Sequence, residues 1–386
     1  MKSVRYLLGT SASILAVVMF TSTSAHEIVG VNSHEGKRLF ERESFDGNGR
    51  KCSTCHTSAT GTISPADVRK RYKANRRDPL FLHDGSDDGL GNGVSRILGA
   101  ATVLVEIPLP PNVTLADAPT ARSVVVRRGI PSTLNTPALD RVLMLDGRQP
   151  DLASQALSAI QGHAQARRLP TDGEVRRIAE FEMSDAFFSS PALRDFARDG
   201  APPPLPQGNT DTEKRGRRFF EDVTDLTDLK HGACGACHSG PMLNETNSLL
   251  FAVAKVPVGT RFQSVRVSEL NEAHNPVHEF VFKNADNTTA RLVTPDPGRA
   301  LITGVGKESG LFDSVNAFKI PTLWGVSKTA PYFHDNSART LEDVVAHYNK
   351  FFEVASDFDG PGPQPPLIVL TPGDQADIAA YLKLLN

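Results

Sequence analysis

Cysteine is scarce in this chain, with four residues in 386, too few for a fold held together by disulfides. Charge of one sign is not in excess either. Forty-two Lys and Arg face 44 Asp and Glu, for a formal net charge of −2. That balance gives no basic footprint and excludes nucleic acid as a partner. Beyond the N-terminal segment no apolar run reaches the roughly 18 residues that cross a bilayer, which excludes a polytopic membrane protein. What remains is 39% hydrophobic and 22% charged, ordinary for a globular chain. The length suits about two domains, each able to bury a core.

Residues 1–25 read as a signal peptide. Lys2 and Arg5 give a positive start, Leu7 to Phe20 are largely apolar, and Thr23-Ser24-Ala25 fits a small-residue cleavage site. The mature chain is expected to begin near His26 and to work in the periplasm; an uncleaved membrane anchor is the alternative. Export normally drives cysteines into disulfides, so their spacing needs another reason.

All four cysteines fall in two copies of Cys-x-x-Cys-His: Cys52, Cys55 and His56, then Cys234, Cys237 and His238. This is the attachment signature of c-type haem. Two thiols one turn apart reach the two vinyl groups of one porphyrin, and the next residue turns its imidazole onto the iron. A zinc ribbon wants its cysteine pairs about 15–20 residues apart, whereas these lie 182 apart. Two covalent haem c groups are therefore expected, with His56 and His238 as proximal ligands.

The chain also repeats itself. Gly36 to Phe40 before the first motif answers Gly216 to Phe220 before the second, each a short amphipathic helix placing an aromatic toward the haem. Ile130-Pro131-Ser132-Thr133 answers Ile320-Pro321-Thr322. Asp146 with Leu152 six residues later answers Asp335 with Leu341, each opening a helix. Ile178 to Phe181 and Ile378 to Tyr381 close the units. The Pro-rich stretch Asp199 to Pro206 reads as an extended linker. The expected organisation is all-α: two cytochrome c-like domains, 26–206 and 207–386, with long loops and small β-hairpin insertions. Ala101 to Leu109 reads as a strand, and Leu249 to Val267 as a second β segment. Asp84 to Gly89 lacks the late glutamate of a calcium loop and reads as a solvated turn.

The run from Phe318 to Asn349, with Thr329 to Asp335 (TAPYFHD) at its centre, resembles the bacterial di-haem cytochrome c peroxidases and their methylamine-utilisation relatives. The resemblance follows most of the mature chain in order. It implies two cytochrome c domains around an interfacial calcium ion. Electrons would enter at the C-terminal haem and pass to the N-terminal haem, where peroxide is reduced. It implies a small redox protein or the quinol chain as electron donor, hydrogen peroxide as substrate, and a homodimer.

Residue by residue the match is uneven. The main-chain carbonyls of Thr329 and Pro331 stand where the family holds calcium. The distal ligand of the second haem, fourteen residues after His334, is Tyr348 where the peroxidases have methionine, and no methionine follows Met242. Tyrosinate is a hard anionic donor; His347 and His334 are the alternatives. At the first haem Gln155 fits the family's glutamine, but the acid–base glutamate ten residues on is Gln165, which carries no exchangeable proton near neutral pH. His163 stands in the same loop, as acid–base group, as sixth iron ligand, or as a solvent-facing residue. Leu145 replaces the tryptophan that bridges the haems, and the sole tryptophan, Trp324, is an electron relay or packing. A non-catalytic electron-transfer protein and a maturation enzyme oxidising residues of a partner protein are the rival readings.

Overall fold

The computed structural model describes residues 33–223, 226–270, 275–306, 315–355 and 368–386. The expected signal peptide lies outside the described residues. The first half contains α1 (Ser33–Arg42), α2 (Cys52–Cys55), α3 (Pro65–Ala74), α4 (Ser95–Ala100), β1 (Thr102–Pro108), β2 (Val113–Leu115), β3 (Ser123–Gly129), α5 (Thr136–Leu139), α6 (Leu152–Gly162), α7 (Asp172–Glu182) and α8 (Pro191–Ala197). The second contains α9 (Asp211–Arg217), α10 (Ser248–Ala254), β4 (Phe262–Gln263), α11 (Val267–Leu270), β5 (His278–Lys283), β6 (Thr289–Thr294), α12 (Ala300–Thr303), β7 (Phe318–Lys319), α13 (Leu341–Ala355) and α14 (Pro372–Leu382). No described helix is long and apolar enough to cross a membrane.

The repeat is visible in how helices meet. In each half a helix before the haem motif crosses the closing helix, α1 on α7 and α9 on α14, and each crossing turns on a glycine. A Cβ on Gly36 would lie 2.1 Å from the Arg177 carbonyl oxygen and 2.8 Å from Phe181 Cβ. A Cβ on Gly216 would lie 2.0 Å from the Asp377 carbonyl oxygen and 2.8 Å from Tyr381 Cβ. Backbone is what it would strike, so no rotamer change relieves the overlap. Capping boxes start the closing helices: Thr171 with Glu174 on α7, Thr371 with Asp374 on α14. Gly216→Ala is expected to lower stability by about 1–3 kcal/mol, the overpacking cost, despite the roughly 1 kcal/mol that alanine gains in a helix. A urea midpoint equal to wild type would show that the crossing is looser than described.

Three small sheets depart from the helical plan. β1 pairs antiparallel with β3, from Thr102 opposite Gly129 to Pro108 opposite Ser123, as the apolar Ala101 to Leu109 run predicts. A second sheet has the order β2-β5-β6, so a strand of the first half pairs with the hairpin of the second. Phe280, Phe282, Ala300 and Leu301 are buried in one cluster with Val103, Val105, Val113 and Val126. The 249–267 expectation is corrected: this segment is α10, a two-residue β4 and the start of α11, and the hairpin lies at 278–294. Asn247 is the reason, since its side chain accepts from the Leu249 and Leu250 amides and starts a helix.

A buried arginine ties the halves together. Arg128, 1% exposed, donates from Nε and Nη2 to both Asp296 oxygens at 2.7 and 2.9 Å, and from Nη1 to Asp146. Gly129 N–H donates to the His334 carbonyl at 2.7 Å.

Candidate haem sites

Both motifs present the groups that covalent haem requires. In each, the histidine amide closes a turn onto the first cysteine carbonyl, His56 to Cys52 at 2.9 Å and His238 to Cys234 at 2.8 Å. All four cysteines are free; Cys234 and Cys237 both line the cavity of the second motif, and Cys55 lines that of the first. Each imidazole donates Nδ1–H to a carbonyl five residues on, His56 to Gly61 at 2.8 Å and His238 to Leu243 at 2.9 Å. This fixes the tautomer and leaves Nε2 for a metal. Burial pushes both imidazoles down, His238 to about 4, so each is neutral at physiological pH, the form that ligates iron. Aromatic packing is as expected: Phe40 lies 6.4 Å from the His56 ring, and Phe220 lines the His238 cavity.

The two cavities are adjacent. The C-terminal one, about 290 Å³, is lined by Cys234, Cys237, His238, Trp324, His334 and Tyr348 among others. The N-terminal one, about 120 Å³, is lined by Cys55, His56, Gln155, His163, Arg148 and Glu182 among others. Leu145 and Ile130-Pro131 line both, so the wall between the cavities holds a leucine where the resemblance places tryptophan. Trp324 is buried, and its Nε1 donates to the Pro241 carbonyl at 2.9 Å.

Tyr348 shares its cavity with the second motif, and burial, reinforced by the nearby sulfurs, raises its phenol. His347 is committed elsewhere, its Nε2 2.8 Å from the Val265 carbonyl. His334 stacks on Phe318 with ring centroids 3.7 Å apart, and its Nε2 lies 3.4 Å from the Ser268 hydroxyl. Thr329 and Pro331 also line this cavity. Two carbonyl oxygens would be only part of the six to eight ligands that calcium takes. Among the described residues no group of three His, Cys, Asp or Glu could hold a metal.

At the first motif α6 carries a stripe of cavity-lining side chains. Asp151 caps its start, accepting from the Ser154 amide at 2.7 Å. Gln155, Ala159 and His163 then fall at four-residue intervals and all line the cavity. Counted from the leucine that opens each helix, Ala159 occupies the place that Tyr348 holds in the second half. The first cavity therefore has a methyl group where the second has a phenol.

His163 belongs to a cluster that the sequence did not reveal. Its Nδ1–H donates to Asp84 Oδ2 at 2.5 Å, and Asp84 Oδ1 accepts from Arg50. Arg50 also donates to the carbonyls of Pro79 and Leu80 at 2.9 and 3.0 Å. Asp84 is 3% exposed, which corrects its reading as part of a solvated turn. Burial pushes its carboxyl up, but the hydrogen bond from His163 and the Arg50 charge outweigh burial and hold it below the usual range. Asp87 and Asp88 do form the expected turn, capping the Ser95, Leu90 and Asn92 amides. Gln165 does not line the cavity. With φ of +49° its side chain turns outward and accepts from Asn48 Nδ2 at 3.2 Å.

Two haem-attachment units in tandem, each with a neutral proximal imidazole and a lined cavity, fit a di-haem c-type protein. No known family profile matches the chain. It is similar to the cytochrome c551 peroxidase of Nitrosomonas europaea, 28% identical over 117 residues, which are 30% of this chain. The match spans 23% of that relative's length. Among solved structures it is similar to a MauG-like protein associated with microbial copper homeostasis, at 18% identity and TM-score 0.47, covering 92% of this chain and 88% of that one. It is also similar to the dihaem peroxidase BthA from Burkholderia thailandensis, at 15% identity and TM-score 0.48, covering 92% and 86%. The local match to the cytochrome c551 peroxidase agrees with the di-haem peroxidase resemblance of the sequence.

Proposed function

We propose that this is an exported di-haem c-type oxidoreductase of the cytochrome c peroxidase-like kind. In this reading residues 26–206 and 207–386 form its two haem units, hydrogen peroxide is reduced at the N-terminal one, and electrons arrive through the C-terminal one. A small redox protein or the quinol chain is the donor, and two copies of the chain associate. The observation that carries the reading is the asymmetry of the cavities: Ala159 lines the one that holds His56 at the helix position from which Tyr348 lines the one that holds His238.

Haem c, when bound, would be held by Cys52, Cys55 and His56 in one unit and by Cys234, Cys237 and His238 in the other, and would supply the redox-active iron. This chain's residues do the rest. Reduction of peroxide to two waters takes two electrons and two protons. His163 has Nδ1 held by Asp84, so Nε2 is its free nitrogen for accepting and returning a proton in the cavity. Gln155 offers an amide to orient a bound oxygen. On the other side Tyr348, as ligand, would lower the potential and favour oxidised iron.

Absorption and EPR spectra of the ferric holoprotein test the reading. One high-spin haem that changes on adding peroxide is expected, with Tyr348→Phe altering only the other, low-spin haem and raising its potential. Two low-spin haems inert to peroxide would make the protein an electron carrier. An unchanged spectrum in Tyr348→Phe would reject that ligand.

A further inference from the structure

Glu182 has no part in the chemistry above, yet it lines the N-terminal cavity beside His56, Gln155 and His163. It ends α7 and is 5% exposed, and its Oε2 is buried with no hydrogen-bond partner. α1 and α6 pack apolar groups around the end of this helix, with Leu39, Phe40, Ala156 and Ile160 in one cluster with Ile178 and Phe181. No partner compensates the burial of this carboxyl, so the position disfavours its charged form.

The internal repeat supplies the control. Ile178 and Phe181 answer Ile378 and Tyr381, so Glu182 answers Leu382, and Leu382 lines the C-terminal cavity. The same helix position at the same kind of site is satisfied by leucine in one half. Packing therefore does not call for a carboxyl, and the N-terminal cavity has one in addition to what its fold needs.

We propose that Glu182 is a second proton-carrying group of the N-terminal haem cavity, separate from His163, whose carboxyl releases a proton to solvent as an electron leaves the cavity for a one-electron acceptor and regains it on reduction. The proposal rests on reading His56 as a haem ligand. The electrostatics agree with it. Burial alone raises the carboxyl to about 8, so a modest change of charge nearby moves it across neutrality. The other ionisable groups lining the cavity are His56, His163, Arg50, Arg128, Arg148 and Cys55, the last a thioether once haem is attached. The arginines stay charged throughout, and His163, held through Nδ1 by Asp84, stays in place in the Glu182 variants, so its contribution is separated from that of Glu182. Cys52 also senses Glu182, but as a thioether it does not titrate.

Spectroelectrochemistry of the holoprotein from pH 6 to 9 tests the idea, after haem staining has shown both groups in place. In wild type the potential of one haem should fall as pH rises toward about 8 and level off above it. In Glu182→Gln this dependence should vanish while the other haem is unchanged. Glu182→Leu, which restores the residue of the second half, should behave the same way and keeps the test alive where glutamine impairs haem loading. An infrared difference spectrum on reduction should show a protonated carboxyl band that both variants lack. A pH dependence that survives in either haem-loaded variant overturns the proposal, as does a carboxyl band that persists in it. Absence of haem at Cys52–His56 overturns the underlying reading instead.

Discussion

Replacing Cys52 and Cys55 by alanine is expected to remove half of the covalently bound haem, and replacing all four cysteines to remove all of it. The four thiols are free and arranged in two pairs, each on one turn with a neutral imidazole directly after it. A thioether survives denaturation, whereas a haem held only by His56 would be lost with the fold. The measurement is haem stain per polypeptide on a denaturing gel, with the pyridine haemochrome of the same sample. Cys234→Ala with Cys237→Ala should remove the other half. The remaining haem also identifies which cavity gives which spectrum, because Tyr348 accompanies only the second. Full haem content in the Cys52 and Cys55 double variant would end the assignment of the first site.

The parts of this molecule that short sequence patterns encode were legible, and those that long-range contact encodes were not. Gly36 and Gly216 each precede their cysteines in a short helix because a helix crossing needs a residue without Cβ there. Leu152 and Leu341 open α6 and α13 six residues after Asp146 and Asp335 for the same reason of repetition. The hairpin at 278–294 escaped notice because its apolar face is completed by strand β2, more than 160 residues earlier. Asp84 escaped because its carboxylate meets His163 across 79 residues, and its neighbours Asp87 and Asp88 make the run look like a turn. A weak signal did exist for Glu182: a charged residue within the apolar spacing of a closing helix whose counterpart is leucine.

Changing His163 should affect the N-terminal haem more than any other single substitution outside the attachment motifs. His163→Ala is expected to slow reaction with peroxide by about 10²–10⁴-fold, the usual worth of a positioned proton-transfer group, while leaving the spin state of both haems alone. The reason is placement. His163 ends the stripe that begins at Gln155, faces a cavity with only a methyl group at position 159, and is near enough to His56 for its charge to act there. Asp84→Asn keeps the shape but no longer holds the imidazole by a charged acceptor, and should cost about 10–100-fold, as loss of an orienting carboxylate does. Alanine at 84 is the poorer choice, because it strands the buried Arg50 charge at about 3–5 kcal/mol. The competing role makes the opposite forecast: as sixth iron ligand, His163 would keep the site closed, and its removal would turn one haem high-spin and speed the binding of peroxide and cyanide. Stopped-flow kinetics with EPR on the same samples separate the two outcomes. A variant that matches wild type in both measurements would leave His163 without a role and the N-terminal cavity without its proton donor.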